Sequence, residues 1–399
     1  MFYLIPPAGT RIGAGDFFKI LGSRINAAAA EEALREKISA RVQVRHSFFF
    51  NSGRSALVFI LKALSNLSKS GRTVVVIPAY TCFTVPAAIA KSGLKIRLVD
   101  IKPETMDYDY ARLFEVDFSQ VLAVMGCNLF GIWSDWGRLR TLAKDKDVYL
   151  IDDAAQSMGT MVEGNAAGNL GDVGLFSLGR GKNMSTYSGG IAVTNNDELA
   201  AEIGRCLRRL PRPRQWNEMI LMSKFAAYAL FLNPRIYWLP ARLPFLRLGE
   251  TIFDTEFGIH PLTRSQICAA NTLIDNLANY NVVRTANARK LAIGLMVSRR
   301  FLIPGCNEVG FPSYLRLPVL AEDITSRDRM IINLRKQGIV ASKMYPSTIR
   351  KIAGIEKYLA ASDDYFPGSQ MIVDRLLSLP THPFVTDADI QRMIACLTG

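Results

Sequence analysis

The stretch Leu150-Ile151-Asp152-Asp153-Ala154-Ala155-Gln156-Ser157 decides the fold. A short apolar run ends in two carboxylates and then in small residues, the pattern of a buried strand whose C-terminal end opens toward a ligand. Brief apolar runs at 74–78, 96–100 and 121–125 repeat the idea upstream, and 148–152 carries the stretch itself. Helical patterns separate them at 55–67 and 135–144. This alternation predicts an α/β fold, a large α/β/α domain with a mostly parallel sheet buried between helices. A carboxylate beyond such a strand can keep a pyridine nitrogen protonated, because each charge stabilises the other. Taken alone, the Asp-Asp pair reads equally as a metal ligand or a helix cap.

Three further segments belong at strand ends. Gly171-Asp172-Val173-Gly174-Leu175-Phe176-Ser177-Leu178-Gly179-Arg180-Gly181-Lys182-Asn183 is followed by Ser188-Gly189-Gly190-Ile191-Ala192-Val193. A lysine among glycines is placed to carry a carbonyl cofactor, provided that burial and neighbouring cations keep its amine uncharged. Ser177, five residues earlier, can bond a phosphate. In isolation the same lysine reads as a surface-loop residue beside a hairpin. Asn51-Ser52-Gly53-Arg54-Ser55-Ala56-Leu57 opens a helix. Its small residues allow close backbone approach, and its free amides and dipole favour an anion. A serine cap explains it as well. Pro78-Ala79-Tyr80-Thr81-Cys82-Phe83 follows a strand and offers flat side chains, either to a cofactor ring or to the core.

The chain has 399 residues, 49% hydrophobic and 21% charged, which suits one large domain and a smaller one and argues against disorder. We divide it into residues 1–250, with an apolar and basic insertion at about 211–250, and residues 251–399. The second part holds a linking helix at 266–289 and a small α+β domain. Its strand patterns lie at 312–320 and 339–345, its helices at 323–337 and 387–397. The net charge of +13 favours anionic partners. No basic run or nucleic-acid module stands out, so phosphorylated metabolites and membrane surfaces rank above nucleic acid.

Six scattered cysteines, no C-x-x-C pair and three histidines argue against a structural metal and for reduced thiols in the cytoplasm. Residues 1–7 lack the pattern of a signal peptide. After a helix at 198–210, Pro211 and Pro213 break the pattern. Within 216–248, residues 219–232 are apolar except for Ser223 and Lys224, too short a run to span a bilayer. It reads either as a buried helix or dimer contact, or as an interfacial membrane segment flanked by Arg235, Arg242 and Arg247.

Together and in this order, these segments resemble the DegT/DnrJ/EryC1/StrS sugar aminotransferases, which have the aspartate-aminotransferase-like fold, type I among pyridoxal 5′-phosphate (PLP) enzymes. The matching pieces are Gly53-Arg54-Ser55, Asp153-Ala154-Ala155-Gln156, and Phe176-Ser177 through Lys182 to Gly189-Gly190. Cys127-Asn128-Leu129-Phe130-Gly131 resembles the family's Val-His-Leu-Tyr-Gly, and Leu377-Ser378-Leu379-Pro380-Thr381-His382-Pro383 its Leu-Ser-Leu-Pro-x-His-Pro. The likeness spans roughly residues 45–397, with 216–248 as an insertion.

The resemblance implies a cofactor, PLP, held as a Schiff base on Lys182, which also moves protons. Asp153 would face the ring nitrogen and Gln156 the ring hydroxyl. Ser177 and the loop Gly53, Arg54 and Ser55 would hold the phosphate. Cys82 falls where an aromatic residue usually covers the ring, with Tyr80 or Phe83 as substitutes. Arg54 replaces a usual threonine and either reaches the phosphate or faces elsewhere. The family's Asn-Tyr-Arg segment, which contacts a second subunit's phosphate, is replaced by residues 260–264. His382 is either catalytic or structural.

The implied activity is amino transfer from glutamate or glutamine to a nucleotide-linked or similar phosphorylated keto-sugar. Cell-surface polysaccharide or secondary-metabolite biosynthesis would be the setting, with a homodimer as the working unit. Dehydratases among the relatives typically replace the lysine with histidine, so Lys182 favours transfer. The alternatives are another carbonyl or lipid-linked substrate, and a non-catalytic, membrane-peripheral member.

Overall fold

The computed structural model describes residues 3–211, 213–243, 249, 251–306, 312–361 and 365–399; Arg247, expected to flank an interfacial segment, lies outside them. The strands in chain order are β1 (His46–Phe50), β2 (Val74–Pro78), β3 (Lys95–Val99), the short pair β4 (Ile101–Lys102) and β5 (Asp107–Tyr108), β6 (Val121–Cys127) and β7 (Tyr149–Asp153). The short pair β8 (Met161–Val162) and β9 (Asn165–Ala166) follows, then β10 (Val173–Ser177), β11 (Gly190–Thr194), β12 (Arg316–Leu320) and β13 (Leu376–Pro380).

Seven of them form one sheet in the order β1-β11-β10-β7-β6-β2-β3. The five from β10 to β3 are parallel, and β11 pairs antiparallel with both β10 and β1. β2 and β6 are buried along their whole length. Val75 and Ile77 enter one apolar cluster, Val74 and Val76 another, so alternate side chains are covered on both faces. The chain runs from β2 outward to β3 and then returns to place β6 on β2's other side. That reversal leaves a crevice beyond the C-terminal ends of β2 and β6, where ligands bind in open α/β sheets.

The expected helices at 55–67, 135–144 and 198–210 are Gly53–Leu67, Trp136–Lys146 and Asp197–Arg208. The expected linking helix is divided. Arg264–Leu273 and Leu277–Met296 are joined by the tighter turn Ile274–Asn276. Polar side chains at the joint reach other segments, Asp275 accepting from Lys37 at 2.8 Å and Asn276 donating to Asp16 at 3.5 Å. The run 339–345 makes only isolated bridges, Ile339 to Ile5 and Ser342 to Ser378. Its backbone is shared between two neighbours, and Met344 at φ +59° ends the extension.

β12 and β13 pair antiparallel and carry the helices Ile324–Lys336, Pro367–Arg375 and Asp387–Thr398. Residues at the chain's start lie against this C-terminal part: Tyr3 donates to Asp389 at 3.1 Å, and Ile5 exchanges backbone bonds with Gly338 and Val340. His382 belongs to the same seam. It is fully buried, its Nε2 lies 2.8 Å from the Pro6 carbonyl, and its Nδ1 accepts from the Phe384 amide. Both ring nitrogens are therefore used structurally, in the neutral tautomer.

No helix among the described residues is long and apolar enough to cross a membrane. Within the expected insertion, the helix Gln215–Phe231 buries Phe225 and Ala229 and exposes Trp216, Met219, Ile220 and Leu230.

Two predictions follow from these contacts. Burial lowers the His382 pKa to about 4. An unfolded chain binds this proton near pH 6.5, so stability falls as pH drops from about 6.5 toward 4, by about 3 kcal/mol. Denaturant unfolding at pH 7 and pH 4.5 should show that loss, and His382→Gln should remove it. At Gly190, an added Cβ would lie 2.3 Å from the Ser52 carbonyl oxygen and 2.6 Å from the Gly53 Cα. Gly190→Ala should therefore cost about 1–3 kcal/mol in the same assay; unchanged stability would show that β11 does not abut this loop.

Candidate active site

The two carboxylates that end β7 separate because side chains alternate along a strand. Asp152 turns into the protein and is fully buried. It accepts from the Asn128 side chain at 2.8 Å and from the Gly168 and Leu170 amides at 2.5 and 3.3 Å. Burial holds its pKa up at about 7 despite these donors. Asp152 thus fixes the loops around it. Asp153 takes the other face, at the crevice, where its carboxylate accepts the Ala155 amide at 3.1 Å. Burial raises its pKa, and the positive charge of Lys182 opposes that shift.

Lys182 lies in the connection between β10 and β11. The connection closes through Leu178 and Gly189, whose backbones bond at 2.8 Å, and through Thr186 to Leu178 at 3.0 Å. Three distant segments pin it. The Thr10 hydroxyl donates to the Lys182 carbonyl at 3.2 Å, and the Gly181 amide donates to the Tyr228 hydroxyl at 3.2 Å. The buried Arg284 donates to the Asn183 carbonyl at 3.0 Å, to Gly9 at 3.2 Å and to Asn281 at 2.9 Å. Burial pushes the Lys182 amine below its usual pKa; Cys82 and Asp153 pull it up, and Arg316 pushes it further down. The amine is thereby biased toward its neutral, nucleophilic form.

Beside the lysine loop, Ser52 caps the helix Gly53–Leu67 by accepting the Ser55 amide at 3.2 Å, and its hydroxyl meets that of Ser55 at 2.7 Å. The first-turn amides of Gly53 and Arg54 have no partner within the helix. A Cβ on Gly53 would stand 3.2 Å from the Ser177 Cβ and 3.4 Å from its hydroxyl. Gly53 and Ser177 therefore form one small cup at a helix N-terminus, a shape and polarity suited to phosphate. The Arg54 side chain faces away from the cup, toward Asp254 at 3.7 Å and over the Phe257 ring at 4.1 Å. Residues 260–264 run alongside, with Asn51 bonded to the His260 carbonyl at 3.0 Å and Leu262 to Phe49 at 3.3 Å.

On the other wall, Gln156 accepts the Phe130 amide and donates to the Tyr345 hydroxyl, both at 3.2 Å. Tyr80 and Phe83 pack on Tyr345, with ring centroids 5.3 and 6.2 Å apart. Their rings are thus committed to the wall. Cys82, partly exposed and 3.0 Å from the Thr84 hydroxyl, interacts electrostatically with Lys182, Arg54 and Tyr345.

The residues singled out from sequence come together around Lys182, Asp153 and the Gly53–Ser177 cup. Thr10, Tyr228, Arg284, Arg316 and Tyr345 were missed; each comes from a remote segment, and no local pattern marks any of them. Among the described residues no cluster of His, Cys, Asp or Glu could hold a metal. A surface cleft lined by Ser68, Arg72, Asp147 and Asp172 lies at the opposite ends of the strands and holds none of the site residues.

The set fits PLP: a lysine with a lowered pKa, a buried carboxylate whose charged form the lysine favours, and an anion cup whose glycine leaves no room for a Cβ unless Ser177 gives way slightly.

Comparison with known proteins agrees. The model of the DegT/DnrJ/EryC1/StrS aminotransferase family matches residues 20–228 and 266–398, so the interruption falls at 229–265, later than the 216–248 expected. GDP-perosamine synthase of Caulobacter vibrioides is 28% identical over 359 residues, covering 89% of this chain and 85% of that protein. The structure of DesI with its TDP-sugar product aligns at TM-score 0.78 and 21% identity, covering 100% of this chain and 93% of that one. The E. coli GDP-4-keto-6-deoxy-D-mannose-3-dehydratase with bound hydrated PLP aligns at 0.78 and 17%, covering 99% and 98%. The fold is that of the type I PLP enzymes. On the family match this is a PLP-dependent enzyme of amino transfer: the chain belongs to the DegT/DnrJ/EryC1/StrS aminotransferase family.

Proposed function

We propose that the protein transfers an amino group from glutamate or glutamine to a keto-sugar linked to a nucleotide. The observation that carries this reading is the placement of Lys182 and Asp153 at the C-terminal ends of the sheet, each altering the other's ionisation. When bound, PLP supplies an aldehyde that carries the amine between the two substrates and a ring that withdraws electrons from the reacting carbon.

The protein's own groups divide the work. Lys182 Nζ, biased toward the neutral form, would hold the cofactor's aldehyde and, when free, would move a proton at the substrate carbon. Asp153, held in a dry setting, keeps a ring nitrogen protonated by charge pairing. The Gly53 and Arg54 amides with the Ser177 hydroxyl would hold the cofactor's phosphate. Gln156, held by Phe130 and Tyr345, would face the cofactor's ring hydroxyl. The net charge of +13 supports a substrate bearing a diphosphate.

A homodimer belongs to this reading, and the exposed Trp216, Met219 and Ile220 offer one apolar face for it. The same face favours a second reading, peripheral contact with anionic membranes, which co-sedimentation with anionic vesicles separates from dimerisation.

The purified protein should show the visible absorbance of bound PLP and lose it on mixing with glutamate or glutamine. Lys182→Ala should lose that band and lower transfer to a nucleotide-linked keto-sugar by roughly 10²–10⁴-fold or more. A Lys182→Ala protein that keeps the same band and rate would overturn the assignment.

A further inference from the structure

Arg316 opens β12 and brings its guanidinium to the lysine loop. Its Nη2 is 3.0 Å from where a Cβ on Gly181, the residue before Lys182, would stand; Gly181 itself has φ +73°. The surroundings of this cation are unusual. Nη1 donates to the Met344 sulfur at 3.0 Å, and a thioether is a weak acceptor. Nε is buried and has no partner. The phenols of Tyr345, Tyr237 and Tyr228 are the groups that favour its charge, and burial pushes all three upward, so each is neutral near pH 7; Lys182 lies near enough for the Arg316 charge to act on it. Among the described residues no carboxylate pairs with Arg316, although the residue retains some exposure. A guanidinium carries five donors in a rigid fork that matches a carboxylate or a phosphate. Here one weak acceptor answers it.

Burying part of a cation without an anion is unfavourable unless a ligand completes the arrangement. The cofactor phosphate already has its cup at Gly53 and Ser177, on the sheet rather than on the small-domain strand. We infer that Arg316 receives a substrate oxyanion: a carboxylate of the amine donor or the diphosphate of the nucleotide-linked sugar. It thereby fixes that substrate beside Lys182. The inference rests on the amino-transfer reading and names the group by which one substrate is held. Tyr237 lies in the stretch that the family match leaves out, so that stretch also shapes the anion's surroundings.

The test titrates the PLP-loaded protein and its Arg316→Gln and Arg316→Lys variants, by calorimetry, with two unreactive probes. Glutarate stands for the donor, pyrophosphate for the diphosphate. Arg316→Gln should bind one probe roughly 10- to 100-fold more weakly, with Arg316→Lys intermediate, while the affinity for PLP and its visible band stay at wild-type values. Weakened glutarate binding assigns the donor's carboxylate; weakened pyrophosphate binding assigns the sugar's diphosphate. The inference is overturned if both probes bind Arg316→Gln as they bind the wild type, if the wild type binds neither, or if PLP affinity falls instead. Should Arg316→Gln not fold, Arg316→Lys keeps the charge but loses the fork, and wild-type affinity for both probes then overturns the inference. A wild type that takes up no PLP defeats the amino-transfer reading, yet the same titrations still report on Arg316.

Discussion

The site depends on holding a lysine amine and a carboxylate in the same poorly hydrated crevice. In water each would be charged and indifferent to the other. Burial disfavours both charges, lowering the pKa of Lys182 and raising that of Asp153, while their mutual attraction works in the opposite direction. The outcome is a pair in which each group alters the other's ionisation. Such a pair cannot be built from two flexible side chains. It requires a backbone that keeps both in place, and the sheet supplies it: β7 pairs with β10 through Leu175 and Asp153, and β10 leads directly to the lysine loop.

The same strand shows how one sequence pattern serves two purposes. Adjacent aspartates on β7 cannot share an environment, since consecutive side chains point to opposite faces. Asp152 is consumed by backbone amides and Asn128 and locks the 168–170 turn to the strand. Asp153 is left for the crevice. Pleat and burial, not composition, part the two aspartates: Asp152 is bound to the scaffold and Asp153 faces the crevice.

Much of this was legible in the sequence because the deciding features are local. The parallel sheet shows in short apolar runs at regular intervals. The cup shows as Gly53 and Ser177, and the lysine lies between glycines that a tight loop needs. What was not legible is what distant segments bring. Tyr345 holds Gln156 across 189 positions, and Thr10 reaches Lys182 across 172. The run 339–345 has the composition of a strand but finds only shared, interrupted partners. The helix at 266–289 has the right period, yet it is divided by the tighter turn Ile274–Asn276, where Asp275 and Asn276 reach Lys37 and Asp16. In each case tertiary hydrogen bonding overrides a local preference.

The two arginines near the lysine loop differ in a way that separates scaffold from binding group. Arg284 is fully buried and has no acid partner, but the Gly9 and Asn183 carbonyls and the Asn281 side chain accept from it, tying the chain's start, the lysine loop and the long helix Leu277–Met296 together. Its burial lowers its pKa only to about 10, so it remains charged and cohesive near neutral pH. Arg316 has the same charge and almost none of those acceptors. A protein that answers one buried guanidinium with three acceptors, though the Nε of that residue too is left without a partner, has the means to answer another. That it leaves the one beside Lys182 facing neutral phenols and a sulfur argues that its acceptor is supplied from outside the chain.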